Sequence, residues 1–212
     1  MGETAMAASH RRNLREEIAL YLTAARCFRD LLARLPVDGW DRPGLGEWSI
    51  RTLAGHTSRA LSTVLTYLDR PADRVEVESA AAYYRTPGLA SSPEVTPRAV
   101  QAGEQLGDEP VAAVDAMLAR LEARLPQETD RVISTVAGGM RLGDYLPTRI
   151  FELAVHSLDL AAACGTEVRL PADVELAAGE LALRIAVGRG DGAALLLALT
   201  GRRSLPQGFS VV

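Results

Sequence analysis

The chain has 212 residues, 48% of them hydrophobic but only 5% aromatic, which is enough for one packed core and favours helix over strand. The net charge is −4 and all 23 basic residues are arginine; the absence of lysine excludes Schiff-base catalysis and a P-loop lysine, and no one-sided basic face is present to track nucleic-acid phosphates. No apolar run approaches the roughly 20 residues of a membrane span, and residues 1–9 carry no apolar leader core, so the reading is a mainly α, cytoplasmic protein that engages neither membrane nor nucleic acid.

The first helix is expected from Leu14, where Ile18, Tyr21, Leu22, Ala25, Phe28, Leu31, Leu32 and Leu35 recur at spacings of three and four, until Pro36 and Gly39 stop it. Ser49 is placed to cap the second helix, with Trp48 packing on Leu53 as a hydrophobic staple and the run continuing through Leu61, Leu65 and Leu68 to Pro71. Residues 71–93 contain Pro71, Pro87, Gly88 and Pro93 and read as a long crossover with a short helix around Glu78 to Arg85. A third long helix is expected between Pro97 and Leu125, kinked or divided at Pro110.

Val132 to Leu142, with Gly138-Gly139 inside it, reads as a short hairpin or irregular loop. Asp144 then caps a fourth long helix through Ala163, and Gly165 supplies its stop. Beyond Pro171 the pattern gives a helix over 172–187, a short apolar helix from Asp191 to Thr200 and a terminal strand over Phe209 to Val212. The expected architecture is a flexible N-terminus at 1–9, a four-helix bundle at 10–168 and a short C-terminal helical cap at 169–212 packed on it.

Only three histidines occur, and two of them, His56 and His156, lie in apolar helical segments. Glu152 and His156, at i and i+4, project from one helix face, and one imidazole from a facing helix completes a set of three metal ligands. Such a set leaves the fourth position of a tetrahedral ion open, which points to catalysis by Lewis-acid activation of a bound thiol or water. The competing reading is a hydrogen-bonded core histidine beside an Arg149–Glu152 ion pair at i,i+3. Asp159 is placed either to orient His156 or to face solvent, and His10 is read as solvent-exposed.

A ferritin-like dimetal centre wants two Glu-x-x-His pairs, and only one comparable pair is present. Cys27 and Cys164 form no CxxC pair and read as buried small hydrophobes. Cys164 and His156 lie roughly 12 Å apart along one helix, too far for a direct dyad. No residue is singled out as a catalytic acid, base or nucleophile.

The run Gly46-Glu47-Trp48-Ser49-Ile50-Arg51-Thr52-Leu53-Ala54-Gly55-His56 resembles the tryptophan-to-histidine motif of the DinB-like superfamily, in its mycothiol-dependent maleylpyruvate isomerase branch. The run from Arg149 through Glu152 and His156 to Ala161 resembles the second motif of that branch, in matching order and separation, so the resemblance covers most of residues 10–165. It implies a DinB-like four-helix bundle with a divalent metal, usually zinc, held by His56, Glu152 and His156; nickel, iron and manganese suit the same donors.

The resemblance further implies mycothiol as a thiol cosubstrate, activated at the metal to attack a small electrophile, giving isomerisation or S-transfer. Arg141 and Arg149 are candidates for binding a substrate carboxylate, or else make structural ion pairs. The chain departs from the isomerase type in having only about forty residues after Pro171, where that type carries a larger C-terminal α/β domain. A non-enzymatic metal- or ligand-binding bundle and a metal-dependent hydrolase are the alternatives, and the assembly is read as monomer or homodimer. Because ligand histidines must be neutral, metal binding is expected to weaken in mild acid.

Overall fold

A computed structural model describes residues 12–36, 38–89 and 93–212; the expected flexible N-terminus and His10 lie outside the described residues. Helix α1 (Leu14–Leu32) starts at a capping box: Asn13 Oδ1 accepts from the Glu16 amide at 3.1 Å, and Glu16 Oε2 accepts from the Asn13 amide at 2.8 Å. Its apolar stripe buries Tyr21, Phe28 and Leu31 completely. The Tyr21 hydroxyl donates to the Ala60 carbonyl at 3.0 Å, tying α1 to α2 (Ile50–Tyr67), which Ser49 caps through the Thr52 amide at 3.1 Å.

The crossover carries one short helix, α3 (Ala80–Tyr84), capped by Ser79. The third long helix expected from Pro97 to Leu125 is two helices, α4 (Val95–Gln105) and α5 (Pro110–Arg124). Gly107 at φ +62° turns the chain between them, and Pro110 falls at the start of α5, where its missing N–H costs nothing.

Strands β1 (Val132–Thr135) and β2 (Gly138–Arg141) then form an antiparallel hairpin in the register Val132↔Arg141 and Thr135↔Gly138, burying Ile133 and Met140. Helix α6 (Leu142–Cys164) follows without a break, and Asp144 is not its cap: it sits inside the first turn. The side chain that meets the helix start comes from thirteen residues upstream, where Asp130 Oδ1 accepts from the Gly143 amide at 2.8 Å. Gly165, at φ +61°, ends the helix in the left-handed conformation.

Helix α6 packs against α1, α2, α3 and α7 (Ala172–Arg189), while α5 lies against α1 and α2. A last helix, α8 (Gly192–Leu199), lies against α7. Residues Phe209–Val212 form no strand, because no sheet edge accepts them; Val211 packs instead beside a small cluster of Phe151, Leu181 and Ile185. No helix among the described residues is long and apolar enough to cross a membrane.

Candidate metal centre

Helices α2 and α6 bring His56, Glu152 and His156 together, with one donor atom of each within 4.8 Å of the others. Glu152 Oε2 lies 3.5 Å from His56 Nε2 and 3.3 Å from His156 Nε2. With metal–ligand bonds near 2.0–2.1 Å, the edge of a tetrahedron is about 3.3 Å. The donor spacing thus fits a small divalent ion, and the donor types suit zinc and its first-row neighbours.

Each donor is oriented differently. His156 Nδ1 is hydrogen-bonded to Asp159 Oδ2 at 2.9 Å, which aims Nε2 at Glu152. Glu152 uses its other oxygen, Oε1, to accept from the Tyr84 hydroxyl at 2.7 Å. His56 has no such partner: its Nδ1 is buried without a hydrogen bond among the described residues, and the ring is held by packing against Trp48 (centroids 4.8 Å apart) and edge-on to His156 (4.8 Å). The Trp48 indole donates to Thr96 Oγ1 at 3.1 Å, so Trp48 spans from His56 to α4.

Burial is the largest single influence on the ionisation of each of the three, but the outcomes differ. For His56 it prevails and the imidazole is pushed below its ordinary value, favouring the neutral ring a metal needs. For His156 burial is opposed by the hydrogen bonds to Asp159 and Glu152, which raise the group to about 9. For Glu152 the bonds to both histidines and the charge of Arg149 outweigh burial and hold the carboxyl well below its usual range.

Arg149 lies 4.0 Å from Glu152 Oε1 through Nη2, donates through Nε to Thr148 Oγ1 at 3.0 Å and stacks on Tyr83 and Tyr145 at 5.4 and 5.0 Å. Arg141 is not brought to this cluster: it is exposed on β2, donates to the Asp130 carbonyl at 3.2 Å and does not line the adjoining cavity. Cys27 and Cys164 are both half-buried, not fully buried, and both are free; burial pushes both thiols up, toward the protonated form.

A cavity of about 330 Å³ opens beside the three donors and is also lined by Arg59, Arg98 and Arg149. Arg98 comes from α4, which approaches α2 so closely that a Cβ on Gly55 would overlap the backbone of Gly103, and one on Gly103 would meet the Arg51 carbonyl at 2.7 Å. Arg59 and Tyr84 escaped the sequence reading although a signal existed for Arg59, which stands one turn beyond His56 on the same helix face. Nothing local to Arg98 marks it.

Residues 21–161 match the model of the mycothiol maleylpyruvate isomerase N-terminal domain family. The chain belongs to this family. No curated protein and no solved structure matches it. The family match includes α2 and all three donors and ends at Ala161, near the end of α6, so α7 and α8 fall outside it. It agrees with the mainly α bundle described above and links the chain to metal-binding, mycothiol-related proteins.

Proposed function

We propose that the protein is a metal-dependent, mycothiol-using enzyme, an isomerase or S-transferase acting on a small electrophile, in which His56, Glu152 and His156 hold a divalent ion, zinc by preference. The supporting observation is that three donors within 4.8 Å of one another, with Glu152 3.5 and 3.3 Å from the two imidazoles, form part of the wall of a cavity of about 330 Å³, where an outside ligand has access. Such an ion, when bound, lowers the pKa of an incoming thiol so that the nucleophilic thiolate exists near neutral pH.

The chain's own side chains do the rest. Asp159 keeps the outer nitrogen of His156 engaged, leaving the inner one to face the other donors. Tyr84 fixes Glu152 through one oxygen and leaves the second facing both imidazoles. Trp48, Leu89, Val95 and Val136 supply an apolar wall that limits water around the reacting groups. We further propose that residues 169–212 act as a helical extension of the bundle, which is read as a cytoplasmic monomer or homodimer.

The test is elemental analysis of protein purified without added metal, set beside His56→Ala, Glu152→Ala and His156→Ala. About one ion per chain is expected, falling to less than a tenth in the variants; unchanged stoichiometry in all three overturns the site. Consumption of a chromogenic electrophile should then require mycothiol and be lost in the same variants. Turnover that proceeds without thiol would instead identify water as the nucleophile.

A further inference from the structure

Helix α7 is apolar on two opposite faces. Val174, Ala177, Leu181 and Ile185 are buried toward the bundle. On the far side Ala172, Leu176, Gly179, Leu183 and Val187 recur at spacings of three and four, and all are exposed, Leu176 by 60% and Val187 by 53%. At about 3.6 residues per turn these positions form one stripe along the length of the helix. Helix α8, which lies against α7, carries no charged residue and buries none of its own, adding exposed Leu196 and Leu199. Apolar surface of this kind, rimmed by charge, marks a contact face.

The rim charges identify what covers the stripe. Glu180 and Arg184 stand on one flank of it, Glu175 and Arg189 on the other, and all four are exposed. Glu180 and Arg184 are each two residues from Ala182, on either side of it, and Glu175 and Arg189 are each seven. Where two copies of α7 cross antiparallel at Ala182, Glu180 of one chain therefore stands level with Arg184 of the other, and Glu175 with Arg189. A twofold axis through that crossing also sets each flank against the same flank of the second copy, so level and side agree for both pairs, and each pair is made twice. Parallel pairing in register would instead oppose like charges at every one of these positions.

We propose that the stripe is the interface of a homodimer in which α7 packs antiparallel on α7 of a second copy, about a twofold axis level with Ala182. Helix axes in such packing lie roughly 8–10 Å apart, which brings glutamate and arginine within reach across the flanks. Arg189 also lies 3.6 Å from Asp191 of its own chain, a contact that the several donors of a guanidinium can share. No residue of the stripe or its rim belongs to the metal centre or lines its cavity, so the dimer stands or falls independently of the functional reading above.

The experiment is sedimentation equilibrium of the full chain from about 1 to 100 μM. We expect reversible association to twice the 22.7 kDa chain mass, weakened about tenfold or more in Leu183→Gln, Glu180→Arg and Arg184→Glu. Each charge reversal alone creates like-charge contacts across the axis. An equimolar mixture of Glu180→Arg and Arg184→Glu chains restores opposite charges at all of those positions, so the mixture should associate as tightly as wild type while each component alone does not. Helix content by circular dichroism should be the same in every variant.

A chain that stays monomeric over the whole range overturns the dimer, and a dimer unaffected by all three variants places its interface elsewhere. A mixture that associates no better than its components overturns the antiparallel register. Should Arg184→Glu fail to fold, Glu175→Arg mixed with Arg189→Glu makes the same exchange on the other flank. A monomer that cosediments with vesicles of phosphatidylcholine and phosphatidylglycerol, and ceases to do so in Leu183→Gln, assigns the stripe to lipid and overturns the proposal equally.

Discussion

The Tyr84 hydroxyl reaches Glu152 Oε1 at 2.7 Å and the Thr148 carbonyl at 3.1 Å, one proton shared between a carboxylate and the backbone one turn before it. The crossover helix α3 is thereby coupled to the donor cluster on α6. Tyr84→Phe keeps the ring, whose edge contacts with Tyr83 and Phe151 are at 5.4 Å, and removes only the hydroxyl. Loss of a group that orients a metal ligand costs roughly 10- to 100-fold in metal affinity. A chelator competition should show a drop of that size in a variant that remains folded; an unchanged affinity would mean that Glu152 is held by its histidine neighbours alone.

The protonation of His156 sets the pH response. Its pKa of about 9 in the folded chain stands above the ordinary 6.5, so in metal-free protein its contribution to stability is fully present below about 6.5 and is lost as pH rises through 9. A metal reverses the trend, because it needs the neutral ring and must displace that proton. Metal affinity should therefore increase across the same window in which the metal-free protein loses stability. At pH 7.5 about one proton per ion should be released, read from binding heats in buffers of different ionisation enthalpy. Asp159→Asn removes the carboxylate that raises His156 and should reduce the released fraction; full release in that variant would show that Asp159 does not control the proton.

How much of this was legible in the sequence depended on whether the determining contact was local. The stripes of α1, α2, α6 and α7 are local, and their helices lie where the periodicity placed them. Glu152 and His156 were readable as a pair because four residues make one turn, while His56 needed the tryptophan-to-histidine motif, since periodicity alone does not say which helices face each other. The cap of α6 was misread because Asp130 acts from thirteen residues away, beyond the local pattern that favoured Asp144. The split at Gly107 was ambiguous because Pro110 is compatible with either a kink or a new helix start. Arg98 was invisible because only the packing of α4 on α2 carries it to the cavity.

Trp48 takes the place of the missing hydrogen bond to His56. Its indole packs 4.8 Å from the imidazole and is anchored at Thr96, whereas His56 Nδ1 has no partner among the described residues. Trp48→Leu retains apolar bulk but loses the aromatic face and the indole donor, so His56 should become the loosest donor. We expect metal affinity to fall by about tenfold, with the ring resonances of His56 broadened by NMR and those of His156 unchanged. Equal broadening of both rings would point to a general loosening of the bundle.

The approach of α4 to α2 gives the sharpest test of the packing that builds the cavity. In an isolated helix, alanine in place of glycine stabilises by roughly 1 kcal/mol, so intrinsic propensity alone predicts that Gly103→Ala raises the melting temperature. Here the added methyl would sit 2.7 Å from the Arg51 carbonyl oxygen and 3.2 Å from its carbon, and backbone cannot swing aside as a side chain can. Overpacking of this kind costs about 1–3 kcal/mol, which exceeds the propensity gain, so the melting temperature should fall. Gly55→Ala should be the more severe of the two, because its methyl would overlap the backbone nitrogen and Cα of Gly103 and lies next to His56. A control at Gly179, exposed on α7 with nothing within 4 Å of a built Cβ, should show the stabilising sign. Stabilisation at all three positions would mean that α4 is free to move away from α2, and the cavity geometry that depends on their contact would not hold.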